Sequence, residues 1–303
     1  MFAQIGQAVV AGIGVGGIYG MLAMGYTLIL AGSGVFNFAL GSVVMGGTLS
    51  LYGLWEITGI PFLLSLAILC TGGLVVGIVT YFLAVRPVEG RRGVRNLTEG
   101  TLVTTFGLGL LLNTIAGNIF GYDTIPVRSY VSLSAFRVFG IAVSYLYIVM
   151  IGVTVVVALG IDTFLRRTQV GIALRATVDD GPGASLMGVR VSRMILTCFG
   201  IAGALAALSG ALLSPITFAS VDAGSSLVFY GFAAMAIGGF GSFIGALAGG
   251  IVIGLISTVT PIWVNPNYAV LIIYGFLVLL LVVRPTGFFG TAGRFGAASL
   301  REV

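Results

Sequence analysis

Uninterrupted apolar runs of helix length, separated by short polar connections, set the pattern of this 303-residue chain. A helix needs about 20 apolar residues to cross the hydrocarbon of a bilayer. We read such spans near residues 5–31, 35–55, 61–85, 101–120, 144–165, 194–213, 225–240, 243–262 and 267–284. The runs are continuous and do not alternate in dyads, which excludes a pure β-barrel. The expected fold is all-α: a polytopic bundle of about nine transmembrane helices, with eight to ten fitting the length, in which residues 1–303 form a single domain. The runs at 35–55 and 225–240 are rich in Gly and Ser, so either is expected to be broken or re-entrant.

The longest charged interruption, about residues 166–193, departs from that pattern. Gly171 to Val178 and Pro182 to Val189 are each expected to form a short helix. Asp180 and Gly181 would cap the second, with Pro182 at its first position, where the missing N–H costs nothing. Leu186 and Met187 then project on the water side of the membrane, where apolar side chains call for a partner surface. The stretch reads as a docking element.

Composition narrows the function. Hydrophobic residues make up 58% of the chain and charged residues 8%, against about a quarter charged in soluble domains. There is no His and no Lys, and all nine acidic residues fall at span ends or in connections. Without Lys the phosphate-binding Gly-x-x-x-x-Gly-Lys-Ser/Thr loop is excluded, so any ATP must be hydrolysed by another polypeptide. No nucleophile and base constellation stands out, and the chain reads as a transport subunit and not an enzyme, with no cofactor of its own. Ion-coupled carriers place an ionisable group within the membrane, and none is obvious here. Cys70 and Cys198 fall inside spans as small apolar residues, which suggests neither a disulfide nor a metal site. The N-terminal MFAQIGQAVV lacks the basic flank of a cleaved signal and is expected to remain as the first span.

All 14 basic residues are arginine, and their placement predicts topology. Arg86, Arg91, Arg92 and Arg95 lie in the 86–100 connection, Arg166, Arg167, Arg175, Arg190 and Arg193 in the 166–193 loop, and Arg284, Arg294 and Arg301 in the tail. Only Arg128 and Arg137 fall on the other side. The positive-inside rule then puts both connections and the C-terminus in the cytoplasm and the N-terminus outside. Arginines beside lipid headgroups account for the positive charge, so no nucleic acid partner is implied. Gly12, Gly16 and Gly20 recur at four-residue spacing, as do Gly241, Gly245 and Gly249, with Gly250 and Gly254 following. Such stripes let helix backbones approach closely. A weak internal echo links GSGVFNFALGSVVMGG at 32–47 with GFGSFIGALAGGIVIG at 239–254.

Five motifs in order carry a family resemblance: Gly25, Tyr26 and Thr27 leading to Asn37, Phe38 and Ala39; Arg86-Pro87-Val88; the run Gly171, Ala173, Arg175, Ala176, Asp179, Asp180, Leu186 and Gly188; Gly238-Gly239-Phe240-Gly241-Ser242; and Arg284-Pro285-Thr286-Gly287. Over nearly its full length the chain resembles the LivH-type permeases of branched-chain amino acid ABC transporters. The resemblance implies a multi-pass subunit of the bacterial plasma membrane that forms half of a translocation pathway. It also implies a second, LivM-like permease, two cytoplasmic ATPase subunits that hold ATP and Mg, and an extracytoplasmic solute-binding protein. The 166–193 loop, with Met187 beside the signature residues, would couple ATPase closure to the spans.

The chain departs from the family pattern where solute would be felt. Leu40, Gly41 and Ser42 stand where the family usually has His-Gly-Glu, and a Lys common in the seventh span is replaced near Tyr230. Branched-chain amino acids, amides, urea-like solutes and organic acids all remain open as cargo. Polar residues able to line a path are Thr27, Ser33, Asn37, Ser42, Thr104, Thr105, Asn113, Thr114 and Asn118, although most hydroxyls in membrane helices bond backbone carbonyls. Asn37 and Asn113 are favoured because an unpaired amide in lipid is costly, and Ser42 and Tyr230 because they sit at the departures. A facilitative channel or secondary carrier for small polar solutes is the alternative reading.

Overall fold

The structure, a computed structural model, describes residues 2–89, 97–131, 135–138, 141–265 and 267–290. Its helices are α1 (Phe2–Ser33), α2 (Leu40–Leu51), α3 (Phe62–Thr80), α4 (Arg86–Glu89), α5 (Leu97–Phe120), α6 (Tyr145–Arg167), α7 (Gln169–Asp179), α8 (Gly181–Leu186), α9 (Val191–Thr217), α10 (Ala223–Gly238), α11 (Phe243–Val259) and α12 (Asn267–Val283). π-helical turns extend α2 over Tyr52–Ile57 and α3 over Tyr81–Val85. Among the described residues, six helical stretches are long and apolar enough to cross a membrane, whereas α2, α10 and α12 are shorter. A β-hairpin, β1 (Ala135–Val138) antiparallel to β2 (Ile141–Ser144), fills part of the connection before α6 and was not expected from the apolar pattern. Arg91, Arg92, Arg95, Arg294 and Arg301 lie outside the described residues.

The run read as one span at 35–55 begins in an open turn. Gly34, at φ +71°, follows the last turn of α1, and helix resumes only at Leu40. Its echo behaves alike: Gly239 (φ +110°) and Gly241 (φ +84°) separate α10 from α11. A left-handed backbone costs an L-residue about 1–2 kcal/mol, so glycine marks both breaks. Ser242 then starts α11 by accepting the Gly245 N–H at 3.1 Å.

The described residues fall into two compact units. The first comprises Met1–Thr27, Ser129–Val156 and Phe229–Val303, and the second Leu28–Arg128 and Val157–Val228. In the first, the α1 glycine stripe meets Gly250 and Gly254 of α11, whereas Gly245 and Gly249 pack against α10. A Cβ added at Gly16 would run into Gly250 and Ile251 of α11, and one added at Gly254 into Gly12 and Gly16 of α1. Thr258 Oγ adds a 2.8 Å bond to the Ala8 carbonyl across the same contact. Two motifs far apart in sequence also join here. Phe288 and Phe289 donate to the carbonyls of Ile237 and Gly238, both at 2.9 Å, and Gly287 packs on Gly239.

The second unit is organised around α9, whose middle is almost wholly buried. Gly47 of α2 abuts Ala207, Gly73 of α3 abuts Gly203, and Gly77 abuts Phe199. The other faces of α3 and α5 stay open: Leu63 is 79% exposed and Val103 73%. Exposed polar side chains on these faces return to their own backbones, as a surface without water requires. Thr71 donates to Ala67 O, Thr114 to Leu110 O and Asn118 to Thr114 O.

Candidate functional site

The α7–α8 segment is built from a corner that leaves no room for a side chain. Thr168, the first residue after α6, accepts the Gly171 N–H at 3.0 Å and donates to Phe164 O at 2.7 Å, so one hydroxyl ties the end of α6 to the start of α7. Gly171 lies against Phe164 O and the Leu165 backbone, and any Cβ there would collide with them. Leu174 and Thr177 continue the buried face of α7, leaving Ala176 and Asp179 exposed. Arg175 reaches Asp162 of α6 at 4.0 Å, and Arg166 pairs with the same carboxylate at 2.8 Å. Both pairs are open to solvent, so each adds at most about 1 kcal/mol.

α8 is shorter than expected and begins one residue earlier. It runs Gly181–Leu186 with Pro182 at its second position, and Asp180 is the N-cap residue without a side-chain capping bond. The expected extension to Val189 fails because Gly188, at φ +86°, ends the helix. The Val189 N–H bonds to Ala184 O and the Gly188 N–H to Ser185 O, both at 3.0 Å. These two bonds make a Schellman turn. Leu186 and Met187 are held at its apex, 89% and 88% exposed, while Ala184 anchors the helix inward. Gly171, Ala173, Arg175, Ala176, Asp179, Asp180, Leu186, Met187 and Gly188 thus lie along one continuous elbow of α7, α8 and the turn that follows. Thr168, which holds the elbow to α6, was not singled out in the sequence, although a Thr just before a helix is a recognisable N-cap signal.

Residues 8–282 match the family described as branched-chain amino acid transport system, permease component. The chain belongs to this family. Among its relatives, the high-affinity branched-chain amino acid transport system permease protein BraD of Pseudomonas aeruginosa is 29% identical over 94% of this chain and 95% of its own length. LivH of Escherichia coli K12 is 27% identical over the same shares. The probable LivH of Methanocaldococcus jannaschii is 29% identical over 88% of this chain and 84% of its own. The chain is a permease component of ABC importers of the branched-chain amino acid type, a transport subunit and not an enzyme. Its apolar helices are those of a multi-pass membrane protein.

The residues expected to line a path of this permease separate into distinct roles. Asn37 is 2% exposed, and its Oδ1 accepts the Ala39 N–H at 3.0 Å, closing the turn that starts α2. Ser42 is also buried and donates to Gly109 O of α5 at 2.9 Å, clamping α2 to α5. Thr27, Ser33, Thr104, Thr105 and Thr114 all bond backbone carbonyls, as most membrane hydroxyls do. Asn113 differs, since its amide oxygen is buried without a hydrogen-bond partner. Tyr230 stands in the first unit, its ring 5.1 Å from that of Tyr19, while Asn37, Ser42 and Asn113 lie in the second.

Asn37→Ala is therefore expected to lower stability by about 1 kcal/mol, the usual net cost of losing one such hydrogen bond in a turn. Thermal unfolding in detergent checks this, with uptake per folded molecule unchanged.

Proposed function

We propose that this permease pairs with a second, LivM-like permease in the bacterial plasma membrane. Two ATPase subunits, holding ATP and Mg, dock beneath the pair from the cytoplasm, one of them on this chain's α7–α8 elbow, and an extracytoplasmic solute-binding protein delivers the cargo. The observation that carries the reading is the pair Leu186 and Met187, rigidly presented and almost fully exposed on a chain that has no nucleotide-binding Lys of its own. An apolar pair on a helix end is what a hydrophobic groove on a partner accepts. ATPase closure would then push the elbow, and Thr168, Gly171 and the α6 contact would pass the displacement to the spans as a rigid body.

Branched-chain amino acids are the first cargo to test, because the named relatives belong to systems that transport them. Amides, urea-like solutes and organic acids come next, since Leu40, Gly41 and Ser42 give the start of α2 no charge. The arginine distribution supports a cytoplasmic elbow and C-terminus with the N-terminus outside. In a background lacking Cys70 and Cys198, Arg175→Cys is expected to resist an impermeant thiol reagent in intact cells and to react after permeabilisation. Tyr122→Cys is expected to react in intact cells, and the opposite result inverts the topology.

The deciding experiment reconstitutes the complete complex in liposomes with its solute-binding protein outside and ATP inside. Accumulation of labelled leucine or an amide against its gradient, abolished by removing ATP or the binding protein, is the expected result. Equilibration that needs neither would make the chain a facilitative carrier and overturn the reading.

A further inference from the structure

The Arg86-Pro87-Val88 motif sits where α3 changes its winding. The helical stretch that begins at Phe62 continues to Val88 with Pro87 inside it. A regular α-helix would drive the Pro87 ring into the carbonyl of Leu83, four residues back. The chain avoids this by widening over Tyr81–Val85, where the Arg86 N–H bonds the Tyr81 carbonyl, five residues back. The Arg86 guanidinium also lies 5.4 Å from the Phe82 ring, a cation–π contact across the turn. A π-helical turn holds one residue more than an α-helical one, so closing it would rotate the following α4 by about 100°. The motif therefore forms a joint with two discrete settings.

Ahead of this joint α3 is clamped to α9, because Gly73 and Gly77 press on the backbone of Gly203 and Phe199. At the joint the contact passes to a side chain. Tyr81, the first residue of the wide turn, is 2% exposed, with its ring 5.6 Å from that of Phe199 and its hydroxyl 3.1 Å from Ser192 Oγ. Ser192 belongs to the first turn of α9, just after the Gly188 turn of the elbow, and both α7 and α8 pack against α9. On the other side, Thr104 of α5 donates to the Ala84 carbonyl at 2.7 Å, the shortest of its hydrogen bonds. Ser42 ties the same α5 to α2. One chain of contacts thus runs from the elbow through the joint to α5 and α2.

We infer that Tyr81 is a positioning residue for coupling, through whose bond to Ser192 the elbow sets the π-helical turn of α3. Coupling needs an element with two arrangements that both ends can bias, and this turn is such an element. When a docked ATPase shifts the elbow, the start of α9 moves, the Tyr81 hydroxyl follows Ser192, and Thr104 passes the new setting to α5. This rests on the docking of an ATPase at the elbow proposed above and adds the route by which docking reaches the spans.

The test uses the complete complex in liposomes, with uptake and ATP hydrolysis measured together. Tyr81→Phe keeps the ring and removes the hydroxyl, and Ser192→Ala removes its partner. Each is expected to lower the solute moved per ATP by about fivefold, the worth of one hydrogen bond, while the ATPase and partner permease co-purify in wild-type yield. The double variant is expected to be no worse than either single one, because both break the same bond. Ser192→Thr keeps a hydroxyl and is expected to retain the wild-type ratio. Pro87→Ala takes away the reason for the wide turn and is expected to lower the ratio at wild-type yield. A wild-type ratio in Tyr81→Phe or Ser192→Ala overturns the inference. So do losses that multiply in the double variant, a fall in uptake matched by an equal fall in hydrolysis, or a loss of co-purification with Tyr81→Phe, which would make the contact structural. A wild-type complex that accumulates no solute with ATP, or an ATPase that stays bound to Met187→Asp, would instead overturn the import or docking reading itself.

Discussion

Met187→Asp is expected to separate the permease from its ATPase and abolish ATP-driven uptake, with the spans still folded. Met187 is 88% exposed and makes no contribution to the subunit core, so the substitution leaves the fold of the elbow intact. The Schellman turn at Gly188 is made by backbone bonds and is indifferent to the side chain at 187. At the interface the change is severe. Truncating a central apolar anchor costs about 2 kcal/mol or more, and an unpaired carboxylate buried in an apolar groove adds several more. The first contribution alone implies about a thirtyfold loss of association, at about 1.4 kcal/mol per factor of ten, and the buried charge deepens it. Co-purification of the ATPase and uptake in liposomes measure it, and wild-type values in both would remove the elbow from the coupling path. Leu186→Asp is expected to behave alike, whereas Gly188→Ala strains the turn by about 1–2 kcal/mol and should weaken coupling only partly.

The largest effect on folding is expected from Gly250→Leu. A Cβ at this position would strike the backbone N and Cα of Gly20 and the carbonyl of Gly16, none of which moves without parting α1 from α11. Overpacking a core costs about 1–3 kcal/mol when side chains can shift. Here backbone meets backbone, and separating the helices also exposes the Thr258 to Ala8 hydrogen bond. We expect little protein in the membrane fraction and a large loss of thermal stability in what remains. Gly152→Leu is the control, because it has open space around it on α6 and should accumulate normally. Equal yields of the two variants would mean that the α1 and α11 contact does not hold the first unit together.

Much of this protein was legible along the chain because lipid imposes a simple rule. Backbone groups without water must bond internally, so every long apolar run had to become a helix, and all nine expected runs contain one. Glycine spacing was legible for a related reason: four-residue stripes mark one helix face, and Gly12, Gly16 and Gly20 do meet Gly250 and Gly254. The exposed pair Leu186 and Met187 could be read because an apolar step inside a charged stretch has few other uses. Helix ends were less legible. Whether α8 stops at Leu186 or continues depends on Gly188 taking a left-handed conformation, a choice that bonds to Ala184 and Ser185 decide.

Polar side chains were the weakest ground. Asn37, Ser42 and Asn113 look alike in the sequence as amides and hydroxyls in apolar runs, and only their neighbours separate them. Asn37 is spent on Ala39, Ser42 on Gly109, and Asn113 has an oxygen left over. Likewise nothing local distinguishes Gly46 from Gly47, adjacent residues of one helix, of which the first has open space where a Cβ would sit and the second abuts Ala207. The chain by itself determined a membrane-embedded helical permease with an apolar pair, Leu186 and Met187, in a charged segment, because hydropathy and residue spacing are properties of segments. Which polar atom stays unpaired, which glycine has open space, and that residues 237–239 receive residues 287–289 were decided only in the tertiary structure, because each depends on a partner distant in sequence.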